Sequence, residues 1–497
     1  MNNNTSSKSK NILLLVLSQA INLIILFLFT PYLVRALPQE QFGTYSQVLL
    51  IAEFIGVLVS LAVVQIAMMV FTKPDVPFSD AFKTVFRFNL ISSLLGVVFM
   101  WLFSTFASSV FRNESLTFLL ILFSPYVLGL KMNAVFNQAL IRLNESKFIL
   151  YVTVSMNLLK LTLAFVAVHY YHSLPAMMVV YALDPVLQST IQYIKIYLLG
   201  HTKGHFSMKL FKDLIPIALP LYLVELFGAS YAYISGFVIS ININENAYAI
   251  YKNGSFEIPV ISSIYSTISM VFMGDLSKMV FERDYLTLAL TKKKIISTTA
   301  LLVFPVAIYF MFFSREFILF YYSAKYAATI PVFIIFTGAM FIRIQNYTDV
   351  LVLIGNSKLV LLSFFVFMVS NIVLNILLSS WFGVVGCALA TIVSVYLLAG
   401  LQLHFTIRKL QVNWSDYIDL KKLFQIVLLS ILVILPVRLM FHYFEGPYWL
   451  NLMLSFCLSM SVYVFVAFKT RIAEIAVFQP FLERIPYFGT RIYNLLR

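Results

Sequence analysis

The feature that most constrains this chain is the recurrence of long apolar runs separated by short polar connections. A helix needs about 20 mostly apolar residues to cross the roughly 30 Å hydrocarbon core of a bilayer. Such runs recur about 14 times along the 497 residues. Their approximate limits are 12–34, 45–71, 86–108, 117–141, 149–169, 175–197, 213–239, 247–272, 295–313, 328–352, 359–379, 382–404, 423–441 and 449–468. Composition closes the argument, because 61% of residues are hydrophobic and 11% charged, against about 25% charged in a soluble domain. The expectation is an all-α, polytopic membrane protein.

Lys and Arg accumulate in cytoplasmic loops, so their distribution orients the spans. With the N-terminus inside, 28 of the 35 Lys and Arg fall in or beside cytoplasmic segments. The outside loops hold Arg35, Arg112, Arg315, Lys325 and Arg438. A missed span would invert every later loop and erase this bias. Both termini are therefore expected in the cytoplasm, with an even number of spans. The net charge of +14 follows from this loop bias and does not call for nucleic acid as a partner. The run Lys292-Lys293-Lys294 is expected against anionic headgroups of the membrane lipids. Met1 to Lys10 is polar and short, and the first apolar run lacks a small-residue cleavage site, so no cleaved signal peptide is read. Cys387 and Cys457 both fall within spans and give neither a disulfide nor a metal framework.

The chain repeats itself. Asn144-Glu145-Ser146-Lys147 leads into a span carrying Ser155, Asn157 and Lys160. Gly355-Asn356-Ser357-Lys358 leads into one carrying Ser370, Asn371 and Asn375. A weaker match relates Glu40-Gln41-Phe42-Gly43-Thr44-Tyr45 to Glu245-Asn246-Ala247-Tyr248-Ala249-Ile250-Tyr251. Six spans separate the members of each pair, and six is even, so the halves would share one orientation. This predicts two six-helix lobes, 1–205 and 206–410, followed by a helix pair and an amphipathic cytoplasmic tail in 411–497.

Two stretches resemble a known family. One is Pro31-Tyr32-Leu33-Val34-Arg35-Ala36-Leu37 with Phe42-Gly43-Thr44-Tyr45-Ser46. The other is Ile354-Gly355-Asn356-Ser357-Lys358, then Asn371 to Leu378, closing with Phe382-Gly383-Val384-Val385-Gly386-Cys387-Ala388. The sequence is similar here to the polysaccharide or O-antigen flippases, the lipid-linked oligosaccharide translocases of the multidrug/oligosaccharidyl-lipid/polysaccharide exporter superfamily. Arg35, Gly43, Tyr45, Gly383 and Gly386 carry the signature, and Pro38 departs from it where glycine is usual. The resemblance implies flipping of polyprenyl-diphosphate-linked oligosaccharide across the bacterial inner membrane, for O-antigen, capsule or exopolysaccharide synthesis. It further implies alternating access between the lobes, proton or sodium coupling, a glycan polymerase and a chain-length regulator as partners, and no cofactor. The small residues Gly383 to Ala390 read as close helix packing, with a conformational hinge as the alternative.

Ionisable groups inside spans are costly and tend to face a cavity or a partner. The candidates are Glu53, Lys131, Lys160, Asp184, Glu225, Lys252 and Glu257, with Arg343 and Asp349 nearer the cytoplasmic ends. Asn157 and Lys160, three residues apart, share a helix face. Lys160, Lys131 and Lys252, with Asn157, Asn371 and Asn375, are candidates to line a cavity that takes the lipid diphosphate. Each could equally serve an interhelical pair. Glu53, Asp184, Glu225 and Glu257 are candidates for ion coupling, with structural pairing as the alternative. Lys252 and Glu257 lie five apart, roughly 140° around a helix, and are expected to meet different neighbours.

Two other classes compete. A relative in the same superfamily would export cationic drugs or flip the peptidoglycan precursor. A polytopic glycan polymerase would need chemistry outside, yet the longest outside connection, near 314–327, is only about 14 residues by this span reading. The chain has no GxxxxGK[ST] phosphate loop, and its six His form no ligand or triad pattern.

Overall fold

The computed structural model describes residues 21–25, 27–444 and 446–472. The start of the expected first span and most of the expected amphipathic tail lie outside the described residues. What is described is all-helical and falls into two compact units, 1–249 and 250–497.

Unit 1 contains α1 (Ile21–Ala36), α2 (Gln39–Leu58), α3 (Val63–Val70), α4 (Phe78–Phe111), α5 (Ser115–Phe123), α6 (Pro125–Arg142), α7 (Ser146–His169), α8 (Leu174–Leu198) and α9 (Met208–Asn242). Helix α10 (Glu245–Gly254) crosses the boundary. Unit 2 continues with α11 (Pro259–Phe281), α12 (Tyr285–Phe312), α13 (Ser314–Tyr321), α14 (Ile330–Gly338), α15 (Asp349–Leu353), α16 (Ser357–Leu410), α17 (Trp414–Tyr417), α18 (Leu420–His442) and α19 (Tyr448–Lys469).

Among the described residues ten helices are long and apolar enough to cross a membrane, eleven if the bent pair Ala218–Ala229 and Tyr231–Asn242 is one span. That is fewer than the fourteen expected, and the shortfall has local causes. The described part of the first span is short. The eighth, 247–272, is interrupted by the non-helical residues between α10 and α11. The eleventh and twelfth run together as the 54-residue α16. At 1.5 Å per residue a straight α16 would be roughly 80 Å long, far more than a bilayer. Instead it folds back at Gly383, whose φ of 56° and ψ of −130° break the helix. Gln402 Nε2 donates to Ser363 Oγ at 3.2 Å, and these residues lie 19 and 20 positions either side of Gly383. A Cβ on Gly386 would sit 1.9 Å from the Leu378 carbonyl oxygen, so the small-residue series seals the turn of a helical hairpin. The expected second span is also broken: α2 stops at Leu58, Leu61 and Ala62 take positive φ values of 44° and 53°, and α3 restarts at Val63.

The loops meet as an alternating topology requires. At one end of unit 1, Asn113 Nδ2 donates to Thr44 Oγ1 at 2.9 Å and to Gln47 Oε1 at 3.0 Å. At the other, Arg142 Nε donates to the Phe71 carbonyl at 2.8 Å and Lys195 pairs with Glu145 at 3.2 Å. In unit 2, Arg438 pairs with Glu316 at 2.7 Å at one end, and Lys293 donates to the Ser415 carbonyl at 2.8 Å at the other. Each pair joins segments expected on the same side of the membrane.

The repeated motif recurs as one turn. The Glu145 amide donates to the Leu140 carbonyl at 2.9 Å, with Asn144 at φ 61°. The Asn356 amide donates to the Leu351 carbonyl at 2.8 Å, with Gly355 at φ 75°. Every position is displaced by 211 residues. The positive φ explains why this turn takes Asn in one copy and Gly in the other.

Candidate functional site

The site begins with a glycine. A Cβ on Gly129 of α6 would lie 2.4 Å from the Val186 amide nitrogen of α8, so the two backbones approach in a way only glycine permits. That closeness lets short amide side chains meet across the interface. Asn133 Nδ2 donates to Gln188 Oε1 at 3.1 Å, and Gln192 Nε2 to Asn137 Oδ1 at 3.0 Å. Asn137 Nδ2 in turn donates to Asn133 Oδ1 at 3.0 Å. Asp184, Gln188 and Gln192 recur every four residues and so line one face of α8.

This ladder ends on a charge pair. Lys160 Nζ of α7 lies 3.0 Å from Asp184 Oδ2 and donates to Asn157 Oδ1 at 2.7 Å. Gln188 Nε2 donates to Asp184 Oδ1 at 3.0 Å, and Asn157 Nδ2 donates to Asn22 Oδ1 at 2.9 Å. The side chains of Lys160 and Asp184 keep 13% and 9% of their surface exposed, so the pair is sheltered yet reachable. The ammonium also lies 5.7 Å from the centroid of the Tyr181 ring, whose edge contact with Tyr45 is at 5.6 Å. Tyr45 thereby joins the site, and Asn157 and Lys160, expected on one face of their span, join Asp184 in one continuous polar chain over α6, α7 and α8.

A second group lies around the break between α2 and α3. Gln65 Nε2 donates to Glu225 Oε2 at 3.3 Å, and Glu225 is within electrostatic reach of Lys131. The Lys131 Cε packs 3.5 Å from where a Gly56 side chain would begin. Glu53, half-buried, acts electrostatically on Tyr126 and Tyr233. The freed Leu58 carbonyl accepts from the Tyr222 hydroxyl at 2.8 Å, which keeps that backbone oxygen satisfied where water is scarce.

The remaining candidates in unit 2 are dispersed. Lys252 is exposed in the last turn of α10. Glu257 follows the end of that helix and pairs with Arg343; the two do not share one continuous helix, as the 140° estimate assumed. Asn371 and Asn375 are fully buried in the first arm of the α16 hairpin, with Asn375 Nδ2 donating to the Asn371 carbonyl at 2.8 Å. Of the signature residues, Arg35 is exposed, and a Cβ on Gly43 would sit 2.2 Å from the Glu245 carbonyl oxygen. Lys292 is a correction. It does not lie against headgroups but is 2% exposed, paired with Asp349 at 2.6 Å.

The charges and Asn157, Asn371 and Asn375 stand out in the sequence, and the amides of α6 and α8 do not. Asn133, Asn137, Gln188 and Gln192 carry no charge, but their spacing of four on two adjacent spans was the available signal. Among the described residues no group of three or more His, Cys, Asp or Glu is placed to hold a metal ion.

The described residues form an all-helical polytopic bundle with a buried polar chain between its helices, and known structures share this fold. The chain superposes on the lipid II flippase MurJ in an inward closed conformation with a TM-score of 0.72 at 16% identity, over 92% of this chain and 99% of that one. An inward-facing multidrug resistance MATE family transporter of the MOP superfamily gives 0.61 at 14% identity, over 80% and 98%. A family model described as polysaccharide biosynthesis protein matches residues 32–331. The chain belongs to that family. It is also 23% identical over 235 residues to an uncharacterised membrane protein of Methanocaldococcus jannaschii, spanning 46% of that relative's length.

Proposed function

We propose that this chain flips polyprenyl-diphosphate-linked oligosaccharide repeat units across the bacterial inner membrane, supplying O-antigen, capsule or exopolysaccharide synthesis. Membership of a polysaccharide biosynthesis family supports the glycan, and the superfamily fold supports transport. The observation that carries the reading is the Lys160–Asp184 pair with its amide ladder. A cation held in a span by a carboxylate and neutral amides can exchange that carboxylate for a diphosphate, while the released carboxylate takes up a proton or sodium ion. The neutral amides also suit the many hydroxyls of a sugar.

In this reading the bundle has fourteen crossings, with both termini cytoplasmic, and works by rocking lobe 1–205 against lobe 206–410. Lys131 is a second cation for the passing diphosphate, with Glu53 and Glu225 nearby as further carboxylates for the coupling ion. Drug export is the weaker reading, because a cationic drug calls for an acidic cavity and Asp184 is neutralised by Lys160. Deleting the gene and analysing lipid-linked glycans tests the proposal. Complete repeat units held on the cytoplasmic leaflet are expected, restored to export by the wild-type chain and not by Asp184→Asn. Truncated units, or complete units delivered outside unpolymerised, overturn it.

A further inference from the structure

The break after Leu58 does more than interrupt a span. It opens an apolar cleft of about 230 Å³ in unit 1, walled by Leu61 and Ile66, by Val85 and Phe88 of α4, and by Ile215 and Ala218 of α9. Its α9 wall continues from Phe211 to Tyr222. At 1.5 Å per residue that is roughly 16 Å, the depth of one leaflet's hydrocarbon. The cleft is open, since Leu61, Ile215 and Leu219 remain 38%, 47% and 54% exposed. Its two ends differ. The Tyr222 end meets the Gln65–Glu225 contact. Around the Phe211 end the same two helices, α4 and α9, carry Lys83, Arg87, Lys209 and Lys212, with Arg87 over the Phe206 ring at 5.6 Å. Asp80 and Asp213 are the acidic neighbours there, and Asp80 accepts from the His205 amide at 2.7 Å.

An apolar slot one leaflet deep with a basic rim at headgroup level matches a phosphate lipid. We propose that the cleft receives the isoprenyl tail of a polyprenyl phosphate carrier, its phosphate resting on Arg87 and Lys212. This rests on the transport reading above, which makes such a carrier the cargo's own lipid.

The test places a photoreactive benzoylphenylalanine at Phe88 or Ile215 in the full chain in nanodiscs, with Ile194 on α8, as exposed as Ile215, as control. The probe lipid is long-chain polyprenyl phosphate, challenged with phosphatidylglycerol. Cross-links at Phe88 and Ile215 but not Ile194, resisting phosphatidylglycerol, support the proposal. Ala218→Phe, which fills the slot, is expected to cut retention of the probe in native mass spectrometry about tenfold, the loss of a pair of buried methylenes. Arg87→Gln with Lys212→Gln leaves the slot intact and is expected to weaken retention at low salt more than at high salt. Equal labelling at Ile194, or full displacement by phosphatidylglycerol, overturns the proposal while leaving the transport reading standing. If the protein retains no polyprenyl phosphate anywhere, both fail.

Discussion

Among the described residues each unit holds a sheltered lysine–aspartate pair, and the two are built differently. Lys160 and Asp184 in unit 1 retain 13% and 9% exposure, and each has a second neutral partner in Asn157 or Gln188. Lys292 and Asp349 in unit 2 are closed to 2% each at 2.6 Å. The other carboxylate oxygen of Asp349 accepts from the Val350 amide at 2.7 Å. Both pairs have neutral neighbours, since Lys292 also donates to the Asn346 carbonyl at 3.4 Å, so the difference is access: the closed pair holds helices together, whereas a group in the site can reach Lys160 and Asp184.

This difference can be broken by substitution. Lys292→Met strands Asp349 as a buried charge and is expected to cost about 4 kcal/mol, read as a large drop in thermal unfolding temperature in detergent; Lys292→Met with Asp349→Leu recovers most of it. If Lys292→Met melts like the wild type, the pair is not sealed. Gly129→Val drives α6 off α8 and is expected to cost about 3 kcal/mol through overpacking, and to abolish glycan export before the protein unfolds. Asp184→Asn is expected to cost about 2 kcal/mol, because Asn157 still accepts from Lys160, yet to lower export at least about tenfold if the carboxylate exchanges with the cargo. Export at the wild-type level would remove Asp184 from the mechanism. Gln188→Leu takes one neutral donor from Asp184 and is expected to cost about 1 kcal/mol, with a partial loss of export.

The site was legible where charge marked it. Lys160 and Asp184 stood out because charges in hydrocarbon demand a reason, and Asn157 because it shares a helix face with Lys160. Gln188 and Asn133 did not, because an amide in a span is unremarkable until its partner is known. Lys292 misled for the opposite reason. In a run of three lysines at a predicted helix end it read as a headgroup contact, and only the packing of α12 against Asp349 turned one member inward. The break at Leu61–Ala62 has no glycine or proline at its positive φ positions, so hydropathy runs through it; the break between α10 and α11 is flanked by Gly254 and Pro259, a signal that an apolar count passes over. Gly383 was read as packing, and the structure makes it the reversal between two spans.

By itself the sequence determined the solvent and the helical class, because hydrocarbon length acts along the chain without reference to distant residues. It also carried the repeated turn at 144–146 and 355–357, which depends on a positive φ within a few residues. Tertiary structure alone decided which intramembrane charges are sealed and which can be reached. That depends on how closely two helices approach, and here a single missing Cβ at Gly129 sets the distance.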